Sequence, residues 1–361
     1  MNIQENIRRL YAPLAHYDRP YDEERFESVS SSSRRWIKIR LGIPRFRKLT
    51  LYLLLINLIL VGLLVHAFEP LISLLLRNHE LFGHEVSIDH HGSPEALHGP
   101  DGKKIPRILH QTCANDTIPL AWASSQQSCK EAYSDFEYKL WTDESARNFL
   151  LAEFPWYIDT WDNYPFPIQR ADAIRYFVLF FYGGIYMDMD THCNKSFPIH
   201  QIESLPGKDH ALFQSTLPTG ITNDFLISSA RHPVFEGAIS RLSGFHKGTR
   251  LWARLQPYIA IMLSTGPLFL TLAVKDYLLK QSSLPSPTIQ VINPWDLLPY
   301  ISDLETATWH QKDAQILKWL GDRPWTWFSL GFLGFVTGIY IFNYVLLRTF
   351  TTLHRKIFCY L

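Results

Sequence analysis

Two long apolar segments, one near each end of the chain, constrain its fold more than any other feature. Residues 49–68 (LTLYLLLINLILVGLLVHAF) contain no Asp, Glu, Lys or Arg, and about 20 such residues cross a bilayer core of roughly 30 Å as a helix. Residues 325–347 begin with two tryptophans, as the aromatic edge of a transmembrane helix does. We predict a signal anchor at 49–68 and a second transmembrane helix at 325–347.

Each segment has an alternative interpretation. A cleaved signal peptide would have a shorter apolar stretch that lies much closer to Met1 than residue 49 does. A buried core helix stays open for residues 325–347, because they contain Gly331, Gly334 and Gly338.

Basic residues lie outside both apolar segments. Seven Lys and Arg residues occur between Arg34 and Lys48 without one acid, and Arg348, Arg355 and Lys356 follow the second segment. The positive-inside rule therefore places both termini in the cytosol and residues from about 70 to 324 in the lumen of the secretory pathway. The predicted order is a cytosolic basic tail (1–48), the anchor, a luminal stem (69–104), a folded domain (105–324), the second helix and a cytosolic tail (348–361).

The composition supports a folded domain between the two helices. The chain is 47% hydrophobic and 14% aromatic, which supplies ample material for a core. Its net charge of +1 gives no overall field that would attract nucleic acid, so nucleic acid is excluded as an expected partner. Residues 69–104 contain several histidines without metal-ligand spacing, and a solvated stem is the preferred interpretation.

A luminal location permits disulfides and N-linked glycans. Cys113 and Cys129 are the candidate disulfide pair, which leaves Cys193 single beside the predicted site, although the sequence alone does not fix the pairing. Sequons begin at Asn115 and Asn194. Asn194 follows the predicted site by four residues, where a glycan would obstruct the cleft, so Asn115 is the expected acceptor.

Short strand-like runs alternate with helical patterns through the folded domain. This alternation predicts an α/β fold with a mostly parallel sheet between helices. The predicted strands are 105–111, 138–141, 184–188, 210–214 and 288–292.

Residues 168–197 (IQRADAIRYFVLFFYGGIYMDMDTHCNKSF) are the most informative stretch. Ile174, Phe177, Val178 and Phe181 have the spacing of an amphipathic helix, and Gly183 follows where a left-handed C-cap belongs. An apolar strand over 185–190 then carries acidic residues at its carboxyl end, where open α/β sheets bind ligands.

Asp188 and Asp190 form a carboxylate pair at this strand end. Side chains at i and i+2 of a strand point to one side, so both carboxylates face the predicted cleft. Oxygen ligands favour a hard divalent cation such as Mn²⁺ or Mg²⁺, whose shell the diphosphate of a nucleotide would complete. A D-x-D triplet alone occurs by chance about once in such a chain, and the preceding helix with Asp172 and Arg175 makes chance a poorer explanation.

Several motifs together resemble a known family. They are IPRILHQT, Trp141-Thr142-Asp143, QRADAIRYFVLFFYGGIYMDMD, GITNDFLISSARHP, PYIAIMLSTGP and Trp309-His310, spread over most of residues 105–320. They resemble the retaining DXD glycosyltransferases that include fungal inositol phosphoceramide mannosyltransferases and initiating α-1,6-mannosyltransferases.

This resemblance implies a GT-A type nucleotide-sugar-binding fold and a metal-dependent mannosyltransferase of the Golgi membrane. The implied donor is GDP-mannose, the implied cation is Mn²⁺ or Mg²⁺, and the implied acceptor is the lipid inositol phosphoceramide, in sphingolipid biosynthesis. A multi-span regulatory membrane subunit is the further partner that the resemblance implies.

The resemblance also assigns roles to residues. Asp190 would ligate the metal directly, and Asp188 would hold the metal shell and the ribose. Asp172 and Arg175 would contact the donor sugar and its phosphate, with Tyr186 lining the same pocket. An ordinary intrahelical ion pair is the alternative for Asp172 and Arg175.

The remaining assignments are spread along the chain. His310 would be the final metal ligand or a phosphate contact, although a lone histidine is usually not a ligand. Asp224 would complete the catalytic set near the reacting sugar. Further donor contacts are expected from His110, Gln111, Asn223, Thr265 and Gly266. Asn-Asp and Gly-Pro pairs are also ordinary turn formers, so a structural role stays open for these loops.

Two other functions remain open. The first is the same chemistry on another acceptor, as in a Golgi α-mannosyltransferase or other hexosyltransferase acting on N-glycans, because acceptor choice depends on loops. The second is a non-catalytic membrane subunit. Calcium sensing is excluded, since two carboxylates fall short of the 6–8 oxygens typical of Ca²⁺. Retention of configuration follows from the resemblance, with front-face attack favoured because no carboxylate is identifiable as a covalent nucleophile.

Overall fold

The computed structural model describes residues 45–90, 104–217, 219–303 and 312–359. The predictions for the basic tail up to residue 44, for most of 91–104 and for His310 lie outside these residues. The described residues from 53 onward form one compact unit.

Helices and strands alternate through this unit, as the sequence predicts. The strands are β1 (Ile108–Thr112), β2 (Glu137–Trp141), β3 (Gly184–Met187), β4 (Thr191–Cys193), β5 (Ala211–Ser215), β6 (Ile221–Ser228), β7 (Ile289–Ile292) and β8 (Ile301–Asp303). The helices are α1 (Arg45–Phe82), α2 (Leu120–Ala132), α3 (Asp143–Glu153), α4 (Ile158–Asp162), α5 (Pro167–Tyr182), α6 (Ile199–Glu203), α7 (Pro233–Thr249), α8 (Pro257–Ser264), α9 (Pro267–Leu278), α10 (Pro294–Leu297), α11 (Lys312–Gly321) and α12 (Pro324–Cys359).

A six-stranded sheet with the order β2-β1-β3-β6-β5-β7 forms the centre. The β1–β2, β1–β3 and β5–β7 pairs are parallel, and β6 is antiparallel to both of its neighbours. The prediction of a mostly parallel sheet is confirmed. Because β1, β2 and β3 are adjacent and parallel, their carboxyl ends meet at one edge of the sheet. A separate two-stranded sheet pairs β4 with β8.

Apolar side chains cover both faces of the central sheet. Strand residues alternate between the faces, so Tyr186 and Phe213 belong to one cluster of buried residues while Ile185 and Leu212 belong to the other. The first cluster includes α5, whose residues from 172 to 179 are all buried. The prediction of an amphipathic stripe on this helix is therefore wrong, because α5 is enclosed on all sides rather than on one face.

The turn from α5 into β3 requires two glycines. Gly183 and Gly184 have φ of 68° and 99°, values that side chains with a Cβ rarely adopt. A Cβ on Gly183 would lie 2.5 Å from the Ala230 nitrogen, and one on Gly184 would lie 2.5 Å from the Ile108 oxygen. Gly183 is the predicted C-cap, but its ψ of −160° directs the chain straight into β3 rather than into a left-handed helical turn.

The disulfide joins Cys129 to Cys193, and Cys113 is free. The predicted Cys113–Cys129 pair is wrong. Helix α2 packs on β4, which brings the two α carbons of the observed pair to 4.7 Å, and Ser128 Oγ accepts a hydrogen bond from the Cys193 nitrogen. Cys113 instead follows β1 at the edge where the parallel strands end.

Helix α1 continues well beyond the predicted end of the anchor. Leu74, Leu81 and Phe82 of this continuation are buried in the core. Lys275 Nζ donates a hydrogen bond of 2.8 Å to the Pro70 carbonyl, and Glu85 forms a bridge beside β7. Most residues of 69–90 in the predicted solvated stem are exposed, but this stretch also attaches the helix to the folded domain through the contacts just described.

Three segments of the described residues are long and apolar enough to cross a membrane: Lys48–Phe82, Pro257–Leu278 and Trp325–Thr352. Within each segment, the most apolar stretch differs in burial: it is 61% buried in Pro257–Leu278 and 0% buried in the other two segments. Pro257–Leu278 also breaks into α8 and α9, and it packs in the protein core. The exposed segments coincide with the two predicted transmembrane helices.

An amide pair joins these two apolar helices. Asn57 Nδ2 donates to Asn343 Oδ1 at 3.0 Å, and Asn343 Nδ2 donates to Asn57 Oδ1 at 3.2 Å. Each amide also donates to a carbonyl of its own helix. Side-chain hydrogen bonds of this kind hold helices together in an apolar environment that offers no water as a competitor.

Replacing each asparagine with alanine tests the pair. Because the amides bond each other, we expect Asn57→Ala and Asn343→Ala to be coupled by about 1 kcal/mol in the free energy of unfolding. The measurement is a double-mutant cycle on the purified protein in detergent micelles. Asn57→Ala combined with Asn293→Ala serves as the control for additivity, and additive losses for the Asn57 and Asn343 pair would contradict the interpretation.

Candidate active site

A cavity of about 600 Å³ lies where β1, β2 and β3 end. Residues 112–114, 141–143 and 188–190, which come from the ends of these strands, line it. Helix α5 contributes Ala171, Ile174 and Arg175, and α8 contributes Ile261. The volume lies within the range of roughly 300–1,000 Å³ that is typical of small-molecule sites.

Asp188 and Asp190 both line this cavity, but not as neighbours on a strand. β3 ends at Met187, and the two aspartates lie in the turn that follows. The Thr191 nitrogen donates to the Asp188 carbonyl at 3.1 Å, and the Asp188 nitrogen donates to the Asp224 carbonyl at 3.0 Å. The predicted location is confirmed, and the i, i+2 strand geometry used to predict it is wrong.

Arg175 connects the aspartate turn to the protein interior. Its side chain is 2% exposed, and its guanidinium lies 3.2 Å from Asp188 Oδ1 and 2.9 Å from Asp172 Oδ1. It also donates to the Asn223 carbonyl at 2.5 Å and stacks over the Tyr186 ring. One buried cation thus faces two carboxylates, and only Asp188 of these two carboxylates reaches the cavity.

Asp172 fixes this arrangement from behind. It is 4% exposed and accepts hydrogen bonds from Asn223 Nδ2 at 3.0 Å and from Thr265 Oγ1 at 3.1 Å. Tyr176 donates to the Thr265 carbonyl at 2.6 Å. Asp172, Asn223 and Thr265 therefore position Arg175, and none of them lines the cavity.

Two further residues hold Asp188. The Tyr186 hydroxyl donates to Asp188 Oδ1 at 2.8 Å and bonds Thr112 Oγ1 at 2.9 Å. Gln111 donates to the Asp188 carbonyl at 3.3 Å and accepts from the Tyr138 hydroxyl. Tyr186 and Gln111 are both fully buried, so they support the aspartate turn from outside the cavity.

His110 is also fully buried, and both ring nitrogens have protein partners. Nε2 donates to the Gly183 carbonyl at 2.9 Å, and Nδ1 accepts from Trp141 Nε1 at 3.0 Å. This imidazole joins the glycine turn to the cavity wall, because Trp141 lines the cavity. The geometry gives His110 a positioning role instead of the predicted donor contact.

Gly266 and Asp224 do not line this cavity. Gly266 is the N-cap residue of α9, and a Cβ added to it would lie 3.1 Å from the Met262 α carbon. Asp224 accepts hydrogen bonds from Thr222 Oγ1 and the Phe225 nitrogen, and it lines a second, smaller cavity of about 130 Å³. The roles of Asp224 in catalysis and of His310 in metal binding stay predictions.

The cavity contains residues to which no site role was assigned from the sequence. Trp122, Trp141 and Asp143 line it, and so do Cys113 and Asn115. The Trp141-Thr142-Asp143 motif carried a usable signal, because it ends a strand that is parallel to β1. Asn115 lines the cavity, so the reason given against a glycan on Asn194 applies to Asn115 itself.

The electrostatics of the aspartate turn suit a cation. Burial raises the pKa of Asp188 to about 7, with Asp224 and Asp190 adding to the effect and Arg175 opposing it. Arg175 is shared between Asp172 and Asp188, so ionised Asp188 and Asp190 together carry more negative charge than this one cation balances. Among the described residues, no group of three or more His, Cys, Asp or Glu residues is arranged to hold a metal ion. Two carboxylates with the oxygens of a diphosphate and water match the ligands that Mg²⁺ and Mn²⁺ prefer.

Comparison with known proteins defines the class. Residues 119–211 match the family model "Glycosyltransferase sugar-binding region containing DXD motif". This range includes α5, the glycine turn, Asp188 and Asp190. A similarity to the solved PaToxG glycosyltransferase covers 48% of this chain and 70% of that chain at 16% identity and a TM-score of 0.34, which is too low to support an inference.

Curated relatives define the family more narrowly. The chain is 34% identical over 300 residues to mannosyl phosphorylinositol ceramide synthase SUR1 of Saccharomyces cerevisiae, covering 82% of this chain and 73% of the relative. It is 39% identical over 224 residues to inositol phosphoceramide mannosyltransferase 2 of Schizosaccharomyces pombe, covering 60% of this chain and 61% of the relative. The chain belongs to the family of inositol phosphoceramide mannosyltransferases.

The buried His110 predicts a pH dependence of stability. Burial lowers the pKa of His110 to about 4, whereas an unfolded histidine has a pKa of about 6.5. Between these values the unfolded chain binds the proton and the folded chain does not, so His110 costs about 2 kcal/mol of stability at pH 5 relative to pH 7. We expect His110→Gln to lose less of its free energy of unfolding between pH 7 and pH 5, measured by denaturant titration.

His232 provides a matched comparison. It is buried, and burial lowers its pKa to about 4, so His232→Gln should flatten the pH dependence by a similar amount. An unchanged pH dependence in both variants would refute the assignment of these imidazoles as buried and neutral.

Proposed function

We propose that this protein transfers mannose from GDP-mannose to the inositol headgroup of inositol phosphoceramide, with retention of configuration, as a membrane enzyme of the Golgi. The observation that carries the proposal is the cavity in which Asp188, Asp190 and Arg175 meet. The names of the relatives support the mannosyl donor and the lipid acceptor. The proposal includes a GT-A type fold for the domain that holds the cavity.

The reaction exchanges one bond at the anomeric carbon. The bond from this carbon to the diphosphate oxygen breaks, a bond to an inositol hydroxyl oxygen forms, and the hydroxyl proton leaves with the released nucleoside diphosphate. Retention is assigned to attack on the face from which the diphosphate departs. Retention itself rests on the resemblance. Front-face attack is preferred to a covalent intermediate because the described residues of the cavity wall offer only Asp143, Asp188 and Asp190 as carboxylates, and none of them is identifiable as a nucleophile.

Asp188 and Asp190 would hold a divalent cation, with His310 proposed as a further ligand. When bound, Mn²⁺ or Mg²⁺ would neutralise charge on the departing diphosphate. Arg175 would add a fixed positive charge beside the same diphosphate, and its salt bridge to Asp172 keeps it in place. Tyr186 holds the Asp188 carboxylate toward the cavity by its hydrogen bond. A regulatory membrane subunit remains a prediction.

A donor and acceptor panel tests the proposal. Purified full-length protein in detergent is supplied with inositol phosphoceramide or an N-glycan, with GDP-mannose or a UDP-sugar, and with or without Mn²⁺. We expect mannosylated lipid only with GDP-mannose and Mn²⁺, detected by mass spectrometry. Asp190→Asn should lower turnover at least about a hundredfold, because the lost charge weakens stabilisation of the leaving diphosphate.

Binding of Mn²⁺ provides a readout besides turnover. In the presence of GDP, the wild type should bind Mn²⁺ and Asp190→Asn should not, as measured by electron paramagnetic resonance. Asp162→Asn is the matched control, because Asp162 pairs with Arg147 on the surface, and it should keep full activity. Product with N-glycans alone would favour the other acceptor, and no product with any donor would favour a non-catalytic subunit.

The proposed topology has its own test. In sealed membrane vesicles with the cytosolic face outward, added protease should remove tags from both termini and leave the domain from about 70 to 324 intact, because the bilayer shields it. Fragments are read by immunoblot. Detergent permeabilisation is the control that should expose the domain, and cleavage of the domain in sealed vesicles would overturn the luminal location.

A further inference from the structure

The connection between α7 and α8 exposes both apolar and basic side chains. Leu251 and Leu255 are 86% and 81% exposed, and Arg250 and Arg254 beside them are also exposed. Trp252 Nε1 donates to the Gly248 carbonyl at 3.0 Å, which holds the connection against the end of α7. Large exposed leucines cost free energy in water, and leucines interspersed with arginines are typical of segments that lie in a membrane interface.

Helix α11 presents a second exposed apolar face next to this connection. Ile316 and Trp319, which lie at i and i+3 on one side of the helix, are 59% and 51% exposed. The Tyr258 nitrogen at the start of α8 donates to Asp313 Oδ2 at 2.8 Å. Leu255 precedes Tyr258 by three residues, a reach of at most about 10 Å, and Ile316 follows Asp313 by about one helical turn. The hydrogen bond from Tyr258 to Asp313 therefore joins the segment that carries the exposed leucines to the helix that carries Ile316 and Trp319.

The end of α11 fixes where this surface lies. α11 ends at Gly321 and α12 begins at Pro324, so few residues separate Trp319 from the apolar exposed segment Trp325–Thr352. Trp325 and Trp327 at the start of that segment are 82% and 50% exposed, as expected of an aromatic edge at the bilayer surface. The α11 face thus lies close in the chain to the point at which α12 would enter the bilayer, and the Tyr258–Asp313 hydrogen bond connects α11 to the segment with the exposed leucines.

The same region reaches the cavity. Ile261 follows Tyr258 by one turn of α8 and lines the cavity with Asp188 and Asp190. One turn of helix is roughly 5 Å. The short helix α8 therefore joins the segment with the exposed leucines, which precedes its first residue, to the wall of the cavity, which it reaches at its middle.

We propose that Leu251, Leu255, Ile316 and Trp319, with Arg250 and Arg254, form a membrane patch that docks on the headgroup layer of the bilayer spanned by α12. The apolar side chains enter the interface, and the two guanidiniums pair with the phosphates of anionic lipids. This inference rests on the membrane-spanning role proposed for α12. It deepens the proposed function, because a docked patch presents an anionic lipid headgroup to the cavity through α8.

The depth of a spin label tests the patch. Full-length protein with Cys113→Ser and Cys359→Ser is labelled at Leu255→Cys and reconstituted into vesicles of phosphatidylcholine and phosphatidylinositol, with a nickel chelate on both sides. We expect the label at position 255 to collide more with oxygen than with the chelate, because oxygen concentrates in the bilayer. Leu217→Cys is the matched control, since Leu217 is 94% exposed in the connection between β5 and β6, and its label should show the reverse.

A label at position 255 that behaves like the one at 217 overturns the membrane patch. Turnover is measured separately on the protein without cysteine substitutions, because Cys113 lines the cavity. Depth at position 255 without mannosyl transfer by the unsubstituted protein supports the patch and defeats the proposed function, and transfer without depth does the opposite.

Kinetics provide a second, graded measurement. Arg250→Gln combined with Arg254→Gln should raise the KM for acceptor in anionic vesicles about thirtyfold, as expected when two basic residues leave an anionic surface. The kcat and the KM for the donor should stay unchanged. Arg147→Gln, which removes a partly exposed arginine that pairs with Asp162, is the control with no expected effect. An unchanged acceptor KM in the double variant contradicts the role of the two arginines.

Discussion

The buried guanidinium of Arg175 is the interaction on which the candidate site depends. Removing a charge from water costs several kcal/mol unless partners surround it, and Arg175 has partners from three elements. Asp172 lies on the same helix, Asp188 follows β3, and the Asn223 carbonyl belongs to β6. Satisfying one cation therefore fixes α5, β3 and β6 relative to one another and determines where the aspartate turn faces.

The sequence predicted the features that local patterns encode. The Gly183-Gly184 turn and the carboxylates at the sheet edge follow from residue types whose backbone or chemical preferences are strong. The pairing of Cys129 with Cys193 depends on how α2 packs against β4, and no local pattern reports that packing. The same holds for His110, which lies in the middle of β1, because the sequence does not show whether its side chain faces a ligand or the Trp141 ring.

Helix α1 shows why apolar runs alone misplace a boundary. Its exposed first part and its partly buried continuation belong to one apolar segment, Lys48–Phe82, so hydropathy marks no break where contacts with the folded domain begin. The change becomes visible only through tertiary contacts, in which the nearly buried Lys275 donates to the Pro70 carbonyl and Leu74 enters the core. Pro70 cannot donate a backbone hydrogen bond, yet the helix continues through it to Phe82.

Helix α9 relates the site to the anchor. Thr265, two residues before it, binds Asp172 in the Arg175 network, and Lys275 near its other end binds Pro70 two residues beyond the predicted anchor. The backbone from Thr265 to Lys275, two extended steps and eight helical ones, spans at most roughly 20 Å. The polar network therefore lies within that distance of the level at which α1 leaves its apolar run. A site held so close by a rigid helix suits an acceptor whose headgroup stays at the membrane surface better than one on a distant polymer.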